Sequence, residues 1–185
     1  MKTPRFKFDP IRFFVAASLL LAASVLAGDS TGATPDNPAA WKAMAEGGAV
    51  VELVPDPAPP LPDTQDTNSL RLIVRQAGLR FGIVCAGRVK TKLEAGQWYD
   101  LSFNARTDTR KTFALTVSLE SPNGEKVAAR TTLPEVGGTN WAHYTVALHI
   151  RQPVSKCRIA IALADTGTLW LNDISLVLRK TNETH

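Results

Sequence analysis

The stretch GTLWLNDISLVL, residues 167–178, decides the fold of this chain. Apolar and polar residues alternate on both sides of the pair Asn172-Asp173, which is typical of a half-buried β-strand with one interruption. Two earlier segments also alternate apolar and polar residues, WYDLSFNAR at 98–106 and WAHYTVAL at 141–148. Together the three segments predict a protein built from β-strands.

The rest of the chain from residue 70 onward supports this prediction. Alternating apolar residues recur at 70–75 and 113–120, and turn-forming residues at 94–96, 121–124 and 137–140 separate the strands. We therefore expect one β-sandwich. Before it, 39–46 is expected to form a helical turn or a short helix, 49–54 a strand, and the proline-rich segment 55–62 a surface loop.

The N-terminus predicts export. Residues 1–27 have a basic start, an apolar run and a small-residue end, as in a signal peptide, and the run is shorter than the roughly 20 residues of a membrane span. The whole sequence has 21 Lys and Arg and 17 Asp and Glu. Residues 1–27 contain four of the basic residues and one of the acidic ones, so the rest of the chain has a net charge of about +1. We expect a polar segment at 28–40, the sandwich at 41–179 and a disordered tail at 180–185, with no basic face for nucleic acid.

Several motifs resemble the carbohydrate-binding modules of the family 4/9/16/22 group. They are Gly96 and Tyr99 before Leu101 and Phe103, then Trp141 and Tyr144, then Asn172-Asp173-Ile174-Ser175-Leu176. The resemblance implies an all-β, galactose-binding-like jelly roll. It also implies a module that binds poly- or oligosaccharide; with the export predicted above and no catalytic motif, we expect a secreted or periplasmic, non-catalytic protein. The alternative is an extracellular or envelope sandwich for protein interaction or structure that has lost its glycan groove.

Sugar recognition combines aromatic faces with planar polar groups, and five residues are our candidates. Trp98 and Trp170 are out of phase with the core residues beside them, so we expect both to be exposed, unless they cover a loop or the rim. Asn104, Arg106 and Glu120 lie at polar positions of alternating strands, and the resemblance implies that one face of the sandwich forms the groove.

Two further predictions concern metals and thiols. We expect no cofactor to be required; the resemblance leaves room for a structural calcium, for which Asp173 and Asn172 are the candidate ligands. Cys85 and Cys157 are each in step with apolar neighbours, so both thiols should face the interior. In an exported protein such a pair favours a disulfide, with two separate buried thiols as the alternative.

No catalytic motif stands out. The three histidines have no metal-ligand spacing, and the acidic residues fall mostly at predicted turns and strand ends. We therefore expect a monomeric binding protein whose partner is carbohydrate, with no stable membrane span after cleavage. A small hydrolase or lyase is the third hypothesis, because jelly rolls can carry active sites.

Overall fold

The computed structural model describes residues 40–56, 69–85 and 92–179, which form ten β-strands. The strands are β1 Trp41–Glu46, β2 Val50–Asp56, β3 Ser69–Gln76, β4 Arg80–Cys85, β5 Trp98–Thr107, β6 Thr112–Glu120, β7 Val127–Gly137, β8 Ala142–His149, β9 Arg158–Leu163 and β10 Gly167–Leu178. They form two five-stranded sheets. We call β1-β4-β9-β6-β7 sheet A and β2-β3-β10-β5-β8 sheet B.

Every strand pair in both sheets is antiparallel, and most neighbours are distant in the chain. The core lies between the sheets and takes alternate residues from each strand, with Leu72, Phe103, Leu115 and Ile161 fully buried. The period of two in the sequence therefore comes from one face packed on the core and one face turned outward. The prediction of an all-β sandwich of the jelly-roll type is confirmed.

The prediction of a helical turn or short helix at 39–46 is wrong where the structure describes it. Trp41–Glu46 form strand β1, which pairs with β4 from Trp41 opposite Cys85 to Glu46 opposite Arg80. The segment contains good helix formers, but pairing and the burial of Trp41 outweigh local propensity.

The interruption in β10 is a β-bulge. The pairing with β5 shifts between Asn172 and Ser175, and Asp173 adopts the left-handed conformation with φ of 51°. The side-chain oxygen of Asn172 accepts a hydrogen bond of 2.7 Å from the Asp173 amide, which stabilises this turn. The bulge changes which residues face outward, so that Ile174 and Leu176 enter the core.

Several predictions lie outside the described residues: the signal peptide at 1–27, most of the polar segment at 28–40, most of the proline-rich loop at 55–62 and the tail at 180–185. Within the part of the chain that the structure describes, no helix has the length and apolar character needed to cross a membrane.

Candidate functional site

Four of the five predicted ligand residues lie on the outer face of sheet B. On β5 the outward residues run from Trp98 to Arg106, a span of roughly 26 Å at the usual rise of a strand. They lie beside the outward residues of β8 and β10. We call this surface the outer strip; its members are Trp98, Asp100, Ser102, Asn104, Arg106, His143, Thr145, His149, Trp170, Asn172 and Ser175.

Arg106 occupies one end of the outer strip between two aromatic rings. Its guanidinium carbon lies 4.5 Å from the ring centre of Trp170 and 5.3 Å from that of Trp141. Within the described part of the chain it has no hydrogen-bond or ion-pair partner, and its Nε is buried. The rings stabilise the cation and fix its plane, and the terminal nitrogens of the guanidinium, unlike the buried Nε, have no partner in the described residues and are not buried.

Trp170 faces outward, as its phase in the sequence predicted, but it is not exposed. Only 9% of the residue is accessible, and its indole N–H donates a 3.0 Å hydrogen bond to the Asp56 carboxylate. The same carboxylate lies 3.5 Å from Nε of Arg71. The expectation of an exposed Trp170 is therefore wrong; the ring serves as a support for Arg106.

The middle of the outer strip is a polar ladder. Asn104 lies opposite His143, and the two side chains are hydrogen-bonded at 2.9 Å between Oδ1 and Nδ1. The other ring nitrogen of His143 lies 3.2 Å from the Thr145 hydroxyl. Asn104 is 5% exposed, whereas His143 and Thr145 are exposed. Asn104 therefore orients the His143 ring and offers little accessible surface of its own.

Trp98 occupies the other end of the outer strip and is 39% exposed, as predicted. His149 stacks on its ring with centres 4.6 Å apart and planes at 27°. Arg179 lies 5.8 Å from the Trp98 ring centre and is fixed by Asp100, which accepts a 3.0 Å hydrogen bond from Nε. The exposed indole is thus a pre-oriented platform.

Glu120 does not belong to this surface. It lies on β6 in sheet A, and it is fully buried. The prediction that Glu120 shares a glycan face with Asn104 and Arg106 is wrong. The cause is the long-range pairing, which places β5 and β6 in different sheets although they are adjacent in the sequence.

Glu120 is the centre of an ion cluster on the outer face of sheet A. Its carboxylate accepts hydrogen bonds from Ser118 and Arg80, and from Nε and Nη2 of Arg158 at 3.3 and 3.2 Å. Burial alone would raise the pKa of Glu120, but the Ser118 and Arg80 hydrogen bonds, with the charge of Arg80 and the Arg158 bond, hold it below its ordinary value. Glu120 therefore stays ionised and committed to its partners.

The outer face of sheet A beside this cluster carries small residues. Gly82 pairs with Ala162, which pairs with Thr116, and Ala160 pairs with Ser118. Gly82 is also required by the backbone, because a Cβ there would lie 2.1 Å from the Ile161 carbonyl oxygen.

The two cysteines are buried, as predicted, but the structure has no disulfide between them. Burial, followed by the nearby charge of Cys85, raises the pKa of Cys157 to about 12. The predicted bridge is thus absent here, and both residues pack as small apolar groups of the core.

Asn172 and Asp173 make a poor calcium site. The Asn172 side-chain oxygen is used within the bulge, and the described residues contain no group of three His, Cys, Asp or Glu that could hold a metal. Calcium takes about six to eight oxygen ligands. The donor set therefore does not fit the ion, and calcium at this position remains only a prediction from the resemblance.

Sequence reasoning missed the parts of the outer strip that depend on distant strands. Trp141 entered the sequence motifs without a role in the site, but its ring lies against Arg106. Asp56 and His149 had no signal beyond their residue types, because their roles arise from contacts with Trp170 and Trp98.

No protein-family model matches the chain, and no curated protein matches it. Solved structures do. A GH51 α-L-arabinofuranosidase, MgGH51, with bound arabinose aligns with a TM-score of 0.64 and 22% identity over 77% of this chain, but the match covers 24% of the enzyme. A tailspike protein of bacteriophage CBA120 aligns at 0.56 and 17% identity, over 79% of this chain and 20% of its own. The chain thus spans about a quarter or less of these two proteins.

Whole binding modules also match. A CBM4 structure aligns with a TM-score of 0.53 and 16% identity, over 77% of this chain and 89% of the module. The CBM22-1 xylan-binding domain of Xyn10C from Paenibacillus barcinonensis aligns at 0.52 and 16% identity, over 81% of this chain and 94% of the domain. At these identities the match establishes the fold, which is the fold that the sequence motifs predicted.

Proposed function

We propose that this chain is a non-catalytic carbohydrate-binding module, exported by its N-terminal segment, that holds a poly- or oligosaccharide along the outer strip of sheet B. The observation that carries the proposal is Arg106, a planar cation fixed between Trp141 and Trp170 whose donors have no partner in the described residues. Such a group suits the hydroxyl and ring oxygens of a sugar.

The other end of the strip supplies the apolar half of sugar recognition. The exposed part of the Trp98 indole offers apolar surface for the C–H groups of a pyranose ring, and His149 and Arg179 hold the indole in place. Between the ends, His143 and Thr145 offer exposed polar groups. A strip of roughly 26 Å with anchors at both ends favours a chain of several sugar units over a single sugar.

The strip favours binding over catalysis. Glycoside hydrolysis uses two carboxyl groups about 5 to 9.5 Å apart, one of them ready to give a proton. The strip carries Asp100, which is engaged by Arg179, and at its edge Asp56, which faces Arg71 and Trp170. Both carboxylates are therefore engaged by neighbouring side chains and serve as supports.

The test is a screen on a glycan array and on insoluble polysaccharides with protein expressed from the full-length sequence. Arg106→Gln and Trp98→Ala should each weaken retention about tenfold or more, because each removes a charged donor or a stacking face. Arg130→Gln, at an exposed position of sheet A, is the matched control and should bind as the wild type does. Equal binding by all four proteins would show that the outer strip is not the site.

One observation favours a second candidate, a protein-interaction sandwich. Val177 is 47% exposed on the same face as Trp98, so one end of the strip is apolar enough to dock a protein. This candidate gains if folded protein retains no glycan while Trp98→Ala abolishes capture of a defined protein partner in a cross-linking experiment.

A further inference from the structure

A pocket of about 430 Å³ lies at one end of sheet A, away from the outer strip. Its lining is residues 121–123, 125–126 and 153–156, which belong to the β6–β7 turn and to the connection from β8 to β9. The volume is within the range of small-molecule sites. None of the predicted site residues line it.

Both walls of the pocket are held in place by hydrogen bonds. In the turn, the Ser121 amide donates to the Lys126 carbonyl at 2.7 Å, and the Ser121 hydroxyl bonds both Asn123 and the Lys126 amide. On the other wall, Val154 and Leu93 exchange two backbone hydrogen bonds of 3.1 Å. The pocket is therefore preformed, and a ligand need not order its walls.

The pocket has an excess of positive charge. Lys126 and Lys156 line it, and neither has an ion-pair or side-chain hydrogen-bond partner in the described part of the chain. Glu125 is its acidic lining residue. Behind the turn, Arg158 donates to the Pro122 carbonyl at 3.3 Å, so a third cation is tied to the pocket wall.

The ion cluster beside the pocket contains the same Arg158 and adds no further net charge, because Arg80 and Glu120 neutralise each other. The excess comes from Lys126, Lys156 and Arg158 against Glu125. Charges of one sign at a concave site attract a ligand of the opposite sign. Serine and asparagine side chains in the same lining suit hydroxyl groups.

We propose that this pocket is a second glycan contact, separate from the outer strip, which binds the carboxylate of a uronic acid unit in an acidic polysaccharide. The inference rests on the proposed carbohydrate-binding function and names its ligand class. A sugar carboxylate matches the lysine ammonium groups, while the hydroxyls of the same ring match the polar lining. A neutral sugar would fit the volume but would leave both ammonium groups without a counter-charge.

The probes are polygalacturonate, the same polymer after reduction of its carboxyl groups, and a sulfated glucan of similar length, measured by affinity electrophoresis at low salt. The test variant is Lys126→Gln with Lys156→Gln. The control variant, Lys42→Gln with Arg130→Gln, removes two positive charges from exposed positions outside the lining. All proteins are expressed from the full-length sequence.

We expect the test variant to lose about tenfold or more in affinity for polygalacturonate, from two direct charge contacts, while the control changes about twofold or less. Reduced polymer should bind weakly to every variant, and the sulfated glucan should bind more weakly than polygalacturonate. Equal losses in the two variants, or equal binding of the sulfated glucan, would overturn the proposal.

Different binding results would contradict the pocket and the carbohydrate-binding function. Retention of a neutral glycan that depends on Trp98, together with no charge-dependent binding of polygalacturonate, would overturn the pocket proposal and leave the binding module intact. No retention of any glycan by folded protein would overturn both.

Discussion

Replacing Glu120 by glutamine should destabilise the protein more than the same substitution at any exposed glutamate. The carboxylate is fully buried and faces two arginines and the Ser118 hydroxyl. Removing one member of a buried charge cluster typically costs 3–5 kcal/mol. Because Arg80 and Arg158 keep 23% and 21% of their side chains exposed, water partly compensates them, and we expect about 3 kcal/mol.

The assay is urea unfolding at neutral pH, with thermal unfolding as a second measurement. A loss of about 3 kcal/mol corresponds to a fall in Tm of roughly 10 °C for a domain of this size. Glu135→Gln is the matched control, since Glu135 is exposed on β7, and it should change stability by less than about 0.5 kcal/mol. If both variants lose the same amount, the cluster makes no net contribution and the reasoning fails.

The pH dependence gives an independent check. The pKa of Glu120 is lowered in the folded protein, so its contribution is complete above the ordinary carboxyl pKa of about 4.3 and is lost as the pH falls through the lower folded value. The wild type should therefore lose stability in acid more steeply than Glu120→Gln. Parallel curves over this range would contradict the lowered pKa.

Two further predictions concern the core. At pH 8 the thiol of Cys157 should be almost unreactive in the native protein, because a pKa of about 12 lowers its thiolate fraction by roughly three orders of magnitude. Unfolding without reductant should make the thiols of both Cys85 and Cys157 titratable. No titratable thiol after unfolding would show that the disulfide forms. Gly82→Ala should lower the free energy of unfolding in urea by more than about 2 kcal/mol, because the new Cβ would meet the Ile161 carbonyl. Gly48→Ala is the control: Gly48 has φ of 83° but open space around it, so the loss should be only about 1 kcal/mol. Similar losses in the two variants would exclude the steric explanation.

The sequence predicted those features that a single strand determines. Alternation identified the core residues and placed Trp98 and Arg106 on an outward face, because a side chain's face depends only on its position along the strand. The same reasoning could not place Glu120, since the partner of a strand is chosen by long-range packing. Nor could it show that Trp170 is buried, because the Asp56 carboxylate that bonds it comes from a strand more than a hundred residues earlier.

The resemblance helped with the fold more than with the site. The interruption at Asn172-Asp173 was predicted by the alternation pattern and not by the resemblance, and the structure has a bulge there. The resemblance suggested a single groove, whereas the polar residues lie on two outer faces, one in each sheet. Side chains that serve a ligand differ among proteins of one fold, so the fold does not transfer them.

The bulge at Asp173 also affects how other sequences should be aligned with this one. Up to Asn172 the even-numbered residues of β10 face outward, whereas beyond the bulge the odd-numbered residues Ser175 and Val177 do so. Losing one residue at the bulge would leave Ile174 and Leu176 facing the core, because Asn172 outward, Ile174 inward and Ser175 outward is then a regular alternation. A one-residue gap at this point in an alignment therefore signals loss of the bulge with both faces kept, whereas the same gap elsewhere in β10 would exchange inside and outside for part of the strand.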